Sequence, residues 1–81
     1  MVDYFYSERF KKQYKKLDPH QQELVKKKIL KIVENPALGK PLHAPLQHYL
    51  SERIENLRII YRVNDTTIQF AWLDDRGHVY E

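Results

Sequence analysis

The sequence predicts an α+β fold: an N-terminal strand and a helical hairpin, then a mainly antiparallel, twisted sheet with both helices on one face. Three observations predict it. Apolar residues recur at helical spacing in the first half of the chain and at alternate positions in the second half. A proline-rich stretch at 36–46 separates the two halves. The 81 residues suffice for one modest core, so we predict a single domain over residues 1–81.

The N-terminal half predicts one strand and two helices joined by a very short turn. Residues 2–6 alternate as in a short strand, and Ser7 after them is a candidate helix N-cap. Asp18, followed by a proline, can cap the second helix, with Gln21 at the capping-box position. The Asn-Pro pair at 35–36 ends that helix. The apolar positions that face the core are Phe10, Tyr14 and Leu17 in the first helix and Val25, Ile29, Ile32 and Val33 in the second.

The C-terminal half predicts a β-hairpin preceded by a third strand from about 49 to 54. Residues 57–63 and 68–73 alternate with a period of two, and the Asn-Asp pair at 64–65 is a turn signal. We expect Tyr61, Phe70 and Trp72 to lie in the core. The face of the sheet opposite the helices has no element left to cover it, so we expect a polar or basic surface there.

The composition excludes several classes of site. The absence of cysteine excludes disulfides and thiolate metal sites and fits a reducing cytoplasm, the location we predict. No apolar run approaches the roughly 20 residues that a membrane span needs. Two glycines are too few for a phosphate-binding loop, and the four histidines lack the spacing of a metal site. We therefore predict no metal, no cofactor and no membrane partner.

The residues best suited to chemistry lie near the C-terminus of this chain, whose net charge is +3. Strand alternation places Arg58 and Arg62 on one face, and antiparallel pairing across the turn brings Arg58 close to Arg76. Two arginines beside His78 and Tyr80 suit phosphodiester chemistry, because a guanidinium group holds a phosphate and stabilises the charge that develops on it. His78 or Tyr80 could move protons, and a histidine titrates near neutrality without help.

A purely structural interpretation of the same region stays open. Arg53 with Glu55, or Arg58 with Glu52, could form surface ion pairs that contribute little. Tyr80 could simply pack against its neighbours. An exposed tyrosine or histidine that stacks on a base would instead indicate RNA binding, but the sequence does not show which side chain is exposed.

Three stretches resemble the RelE/ParE superfamily, the toxin halves of type II toxin–antitoxin pairs. Residues 57–65 are similar to its central strand, residues 76–80 to its arginine-to-tyrosine tail, and parts of 39–51 to the loop of its YoeB-like branch. The resemblance covers nearly the whole chain and implies a RelE-like fold. It also implies a choice of activities. RelE-like members cleave messenger RNA in the ribosomal A site, where the ribose 2′-hydroxyl attacks the adjacent phosphate, whereas ParE-like members poison DNA gyrase.

The resemblance implies roles for individual residues. Arg58 matches the central-strand arginine that stabilises the phosphate, Arg76 the tail arginine and Tyr80 the terminal tyrosine, while His78 falls where some relatives have a second arginine. These four residues are the predicted catalytic set. The loop carboxylate of YoeB-like members has no counterpart, so His78 and Tyr80 are the candidate bases, with His43 a weaker third. The predicted RNA-binding residues are Arg53, Arg62, Lys40 and His43.

The function expected from the resemblance is that of a toxin: a ribosome-dependent messenger-RNA endoribonuclease. Its partners would be a cognate antitoxin protein, the ribosome, and the messenger RNA in the A site. Two alternatives stay open. One is a ParE-like inhibitor of DNA gyrase. The other is a degenerate member that binds its antitoxin without catalysis, which the missing loop carboxylate suggests.

Overall fold

The computed structural model describes residues 3–75, which form a five-stranded sheet and two helices. The strands are β1 (Asp3–Tyr6), β2 (Lys40–Pro41), β3 (Leu50–Ile54), β4 (Leu57–Asn64) and β5 (Thr67–Asp75), and the helices are α1 (Glu8–Lys15) and α2 (Pro19–Glu34). The strand order is β1-β5-β4-β3-β2, with β1 parallel to β5 and the other neighbours antiparallel. The predicted α+β fold is confirmed. No helix within residues 3–75 has the length and apolarity needed to cross a lipid bilayer.

The two helices begin at the predicted capping residues. Ser7 Oγ accepts a hydrogen bond of 3.0 Å from a main-chain N–H in the first turn of α1. Asp18 Oδ1 accepts one of 2.7 Å from Gln21 N, and the Gln21 side chain accepts one from Asp18 N, which completes a capping box. The first helix is shorter than its apolar pattern suggests. Leu17 lies in the turn after α1 and still packs against the core.

The core lies between the helices and one face of the sheet. Its buried members are Phe10, Val25, Ile29, Ile32, Ile54, Ile59, Tyr61, Ile68, Phe70 and Leu73. The Phe70 ring is its centre, with ring centroids of Tyr6, Phe10 and Tyr61 at 5.5, 5.8 and 6.0 Å. The prediction that Tyr61 and Phe70 lie in the core is confirmed. Burial of these apolar groups is the main favourable contribution to folding.

A β-bulge at Ala71 changes the alternation of β5. The β4–β5 register pairs Ile60 with Trp72 and skips Ala71, which has no partner on β4. One extra residue reverses which side chains face the core, so Leu73 joins the core and Trp72 lies on the opposite face. The prediction that Trp72 is a core residue is therefore wrong. Its side chain is half-buried.

Side chains around α1 hold the bulge in place along the edge of β5 that β1 leaves unpaired. Ser7 Oγ donates a hydrogen bond to Ala71 O, in addition to capping the helix. Gln13 Nε2 donates to Leu73 O at 2.8 Å, and Gln13 Oε1 accepts from Leu73 N at 2.7 Å. The amide of Gln13 thus satisfies the main chain of β5 as a neighbouring strand would.

A buried tyrosine hydroxyl anchors the connection between α2 and β2, where the sequence suggested only a loop. Tyr61 Oη donates to Pro36 O at 2.9 Å and accepts from Gly39 N at 2.8 Å. A Cβ at residue 39 would lie 2.7 Å from this hydroxyl oxygen, so the close approach requires glycine. Burial raises the pKa of Tyr61 above its ordinary value of 10.0, although the Gly39 N–H bond works in the opposite direction.

Candidate functional site

The face of the sheet away from the helices, the open face, carries three cross-strand rows of side chains. Directly paired residues point to the same face, so the register defines the rows. The first contains Phe5, Gln69 and Arg62, the second Trp72, Ile60, Ser51 and Lys40, and the third Asp74, Arg58 and Arg53. The predicted placement of Arg58 and Arg62 on one face is confirmed.

The third row places two arginines in directly opposed positions. Arg58 is half-buried on β4 and pairs with the exposed Arg53 on β3. Like charges in such positions repel each other, and a bound anion such as a phosphate removes that cost. Asp74, on β5, is the partner of Arg58 on its other side. Among the described residues of this row, two guanidinium groups lie beside one carboxylate, an arrangement suited to a phosphate.

Three of the predicted catalytic residues belong to the tail that follows β5. Arg76, His78 and Tyr80 lie outside residues 3–75, so their roles stay predictions. The strand that leads to them ends at Asp75, whose partner on β4 adjoins Arg58. This is the end of the hairpin at which the sequence predicts the two arginines to converge.

The predicted RNA-binding residues divide into two groups. Lys40, Arg53 and Arg62 are exposed and lie on the open face, one in each row. His43 is exposed in the loop after β2 and belongs to none of the three rows. Sequence reasoning thus identified the cations of the sheet, while the loop histidine stays apart from them.

The carboxylates that could have paired with the strand arginines contact α2 instead. Glu52 faces the helices, and its Oε1 lies 3.1 Å from Lys28 Nζ, with both side chains about four-fifths buried. Glu55 Oε2 lies 3.3 Å from His20 Nε2 at the surface. Ion pairing with these two glutamates therefore does not account for the arginines of β3 and β4.

The aromatic pair Tyr49 and Trp72 on the open face was missed from the sequence. The ring centroids of Tyr49 and Trp72 are 5.2 Å apart. The guanidinium carbon of Arg9 lies 5.2 Å from the Trp72 ring, and that of Arg62 lies 5.8 Å from the Tyr49 ring. Arg62 Nε also donates to Gln69 Oε1 at 2.9 Å. The apolar run at 71–73, which interrupts the alternation, was the signal that could have revealed the bulge.

A second surface feature lies on the helical side, outside the open face. It is a groove of about 290 Å³ with an apolar floor and lysines at its margin, lined by Tyr6, Phe10, Lys11, Tyr14, Lys15, Lys26 and Ile29. Burial raises the pKa of the Tyr6 phenol, with smaller contributions from Tyr4 and Tyr14, so the phenol stays neutral at physiological pH. Among the described residues of this lining, the charged side chains are the three lysines.

Comparison with known protein families decides the classification. A sequence model described as the ParE toxin of the parDE type II toxin–antitoxin system matches residues 4–80. The chain belongs to this family. It is a toxin of a toxin–antitoxin system, as the resemblance in its sequence indicated. A search of curated proteins found no match.

Solved structures of toxins share the fold of the ParE-family chain. The RelBE2 toxin–antitoxin complex from Mycobacterium tuberculosis matches with a TM-score of 0.83 at 25% identity, over 93% of this chain and 98% of that one. The YoeB dimer from Staphylococcus aureus matches with a TM-score of 0.77 at 25% identity, over 98% of both chains. The isolated RelE toxin of E. coli has a TM-score of 0.82 at 18% identity, over 98% of this chain and 88% of that one.

Proposed function

We propose that this ParE-family toxin is a ribosome-dependent endoribonuclease that cleaves messenger RNA in the A site. The observation that carries the proposal is the direct pairing of Arg58 with Arg53 on the open face, at the end of the sheet where β5 leads into the tail. A phosphodiester is the anion that a toxin acting on translation would meet there. This activity implies a cytoplasmic location.

The reaction is an intramolecular transfer at phosphorus. The ribose 2′-oxygen attacks the adjacent phosphorus, the bond to the 5′-oxygen breaks, and a cyclic phosphate and a 5′-hydroxyl result. A base removes the 2′-proton and an acid supplies one to the departing 5′-oxygen. Arg58 stabilises the added negative charge on the phosphate oxygens, and Arg53 holds the phosphate. Arg76, His78 and Tyr80 are proposed to complete the site, with the proton transfers assigned to the last two.

The test is translation-coupled cleavage of messenger RNA, mapped by primer extension. We expect Arg58→Ala to lower cleavage by about 10²–10³-fold, the typical loss when one donor to a developing oxyanion is removed. Arg58→Lys should retain part of the activity, because lysine keeps the positive charge but lacks the two parallel N–H donors of the guanidinium group. Lys27→Ala, at an exposed position on α2, is the matched control. Cleavage that persists in an Arg58→Ala, Arg76→Ala double variant contradicts the assignment of the site.

We further propose that a cognate antitoxin neutralises the toxin by docking an acidic amphipathic segment in the helical groove. The apolar floor and the three marginal lysines are complementary to such a segment. The proposed partner is the acidic product of a neighbouring gene. Lys15→Glu with Lys26→Glu should weaken its binding in calorimetry and leave ribosome-coupled cleavage unchanged. Unchanged affinity in this double variant would place the antitoxin elsewhere.

Inhibition of DNA gyrase is the second candidate function, because the matching family is described as the ParE toxin. In this alternative the arginines of the open face contact the enzyme or support the fold. A supercoiling assay separates the two activities. Inhibition of gyrase without cleavage of RNA favours the alternative, whereas cleavage with gyrase unaffected favours the ribonuclease. A chain that does neither and still binds the antitoxin is the degenerate member considered above.

A further inference from the structure

We propose that Tyr49 and Trp72 form a stacking platform for the bases of single-stranded RNA, flanked by Arg9 and Arg62. The proposal deepens the proposed ribonuclease function and rests on it, since it assigns a binding site for the same RNA beside Arg58. It concerns binding and positioning of the substrate, and no covalent step takes place at the platform.

The first argument is the position of the two rings. Tyr49 and Trp72 are half-buried on the open face, and neither belongs to the core. Their centroids are 5.2 Å apart with the ring planes tilted at 57°, so the two rings are in contact and present adjacent aromatic surfaces. Sheets that bind RNA use exposed aromatic rings in this way, because every base has a π-face to stack on.

The second argument is that hydrogen bonds to the residues before and after Trp72 fix its orientation. The main-chain oxygen of Ala71 accepts a hydrogen bond from Ser7 Oγ, and the main chain of Leu73 makes two hydrogen bonds with the amide of Gln13. These bonds stabilise the bulge that moves Trp72 from the core face to the open face. A stacking residue must be presented rigidly, and this backbone is fixed on either side of it.

The third argument is charge. A guanidinium group lies over each ring, that of Arg9 over Trp72 and that of Arg62 over Tyr49. Both arginine side chains are exposed, so each can move aside for a base and turn its guanidinium group to the RNA backbone. Lys40 adds a further exposed cation in the row that contains Trp72. Aromatic rings alternating with cations complement a polyanion with stackable bases.

The fourth argument is the distance to the proposed phosphate site. Arg58 and Arg62 are four residues apart on the same face of β4, which corresponds to about 13 Å along a strand. A single strand of a few nucleotides spans that distance. The platform would therefore hold bases next to the phosphodiester that Arg58 binds, and it would favour single strands because a duplex hides its base faces.

The experiment uses the intrinsic fluorescence of the full chain, in which Trp72 is the one tryptophan. The probe is a short single-stranded RNA without ribosomes, with a duplex of the same sequence for comparison. We expect the single strand to quench Trp72 emission and the duplex to have little effect. Emission that is unaffected by the single strand overturns the proposal.

Variants are measured by the anisotropy of labelled RNA, with thermal melting to verify folding. We expect Trp72→Leu and Tyr49→Leu each to weaken RNA binding by about fivefold to a hundredfold, the range of one lost base–aromatic stack. Trp72→Phe should lose less RNA affinity than Trp72→Leu, because phenylalanine keeps an aromatic ring. Tyr4→Leu is the matched control, since Tyr4 is 44% exposed but lies on the core face of β1. Equal losses in the control and the platform variants overturn the proposal.

The results separate this proposal from the proposed function. Ribosome-coupled cleavage that needs Arg58, combined with RNA affinity that Trp72→Leu leaves unchanged, retains the ribonuclease and overturns the platform. If RNA affinity depends on Trp72 and Tyr49 but the protein does not cleave messenger RNA, the platform is supported and the proposed ribonuclease function is wrong. Platform variants that weaken binding of the antitoxin alone overturn the proposal in favour of a protein-binding surface.

Discussion

The Tyr61 hydroxyl offers a sharp test of how this small core is held together. Substitution of Tyr61 by phenylalanine removes one oxygen and leaves the ring in the core. That oxygen donates to Pro36 O at 2.9 Å and accepts from Gly39 N at 2.8 Å. Tyr61 and Gly39 are buried, so water cannot easily replace the lost hydroxyl. The substitution should loosen the segment that joins α2 to β2.

The expected cost follows from the two groups left without a partner. The buried Gly39 N–H without a partner costs about 1–3 kcal/mol and the part-buried Pro36 carbonyl about 1 kcal/mol, so we expect Tyr61→Phe to lower the free energy of unfolding by about 2–4 kcal/mol. The total free energy of unfolding of a protein domain is about 5–15 kcal/mol. At about 4–8 °C per kcal/mol for a chain of this size, the melting temperature should fall by roughly 8–30 °C.

Urea denaturation with an unchanged m-value is the appropriate measurement, because it attributes the change to stability rather than to the denatured state. The matched control is Tyr14→Phe. Tyr14 is half-buried, and its hydroxyl donates to Gln22 O at a long 3.4 Å, so that substitution should cost less than about 1 kcal/mol. If both variants lose the same free energy, the argument from the Tyr61 hydrogen bonds is wrong.

Three further predictions concern the same fold. Burial raises the pKa of Tyr61, so the unfolded chain releases the phenolic proton at a lower pH than the folded chain does. The free energy of unfolding, measured as a function of pH, should therefore fall as the pH rises from about 10 through the raised pKa of the folded state. The fall should be shallower in Tyr61→Phe. Asp18→Ala removes the capping box of α2 and should cost about 1–2 kcal/mol in urea, whereas Asp18→Asn should cost less. Glu52→Gln leaves the largely buried Lys28 without its carboxylate partner, and we expect calorimetry to show a free energy of unfolding lower by about 1–3 kcal/mol. An unchanged free energy of unfolding would show that water already solvates the lysine.

Most of the fold could be predicted because its signals are local. The caps at Ser7 and Asp18 depend on a side chain and an N–H only three residues away. The paired strands β4 and β5 are joined by a turn whose Asp65 has a φ of 57°, a conformation that aspartate tolerates better than most residues. Strand β2 was missed, because two residues that include a proline carry no periodic pattern.

The candidate site could be predicted only in part. Arg58 and Arg62 were assigned to one face because strand alternation is a local rule, and the structure agrees. Trp72 was assigned to the wrong face, because the bulge at Ala71 depends on hydrogen bonds from Ser7 and Gln13, about 60 residues away in sequence. The apolar run at 71–73 could have indicated a bulge, but nothing within β5 identifies Ser7 and Gln13 as the residues that hold it.

The sequence by itself determined the fold class, because helix caps and strand alternation act over a few residues, and its arginine-bearing motifs resemble the RelE/ParE superfamily that the ParE-toxin match supports. Tertiary structure decided which side chains share a surface. Only the register of β3, β4 and β5 brings Arg53 opposite Arg58, and only the bulge carries Trp72 to the side of Tyr49. The physical reason is that the bulge depends on hydrogen bonds from residues about 60 positions away, and the exact register on the geometry of strand pairing, neither of which alternation alone specifies.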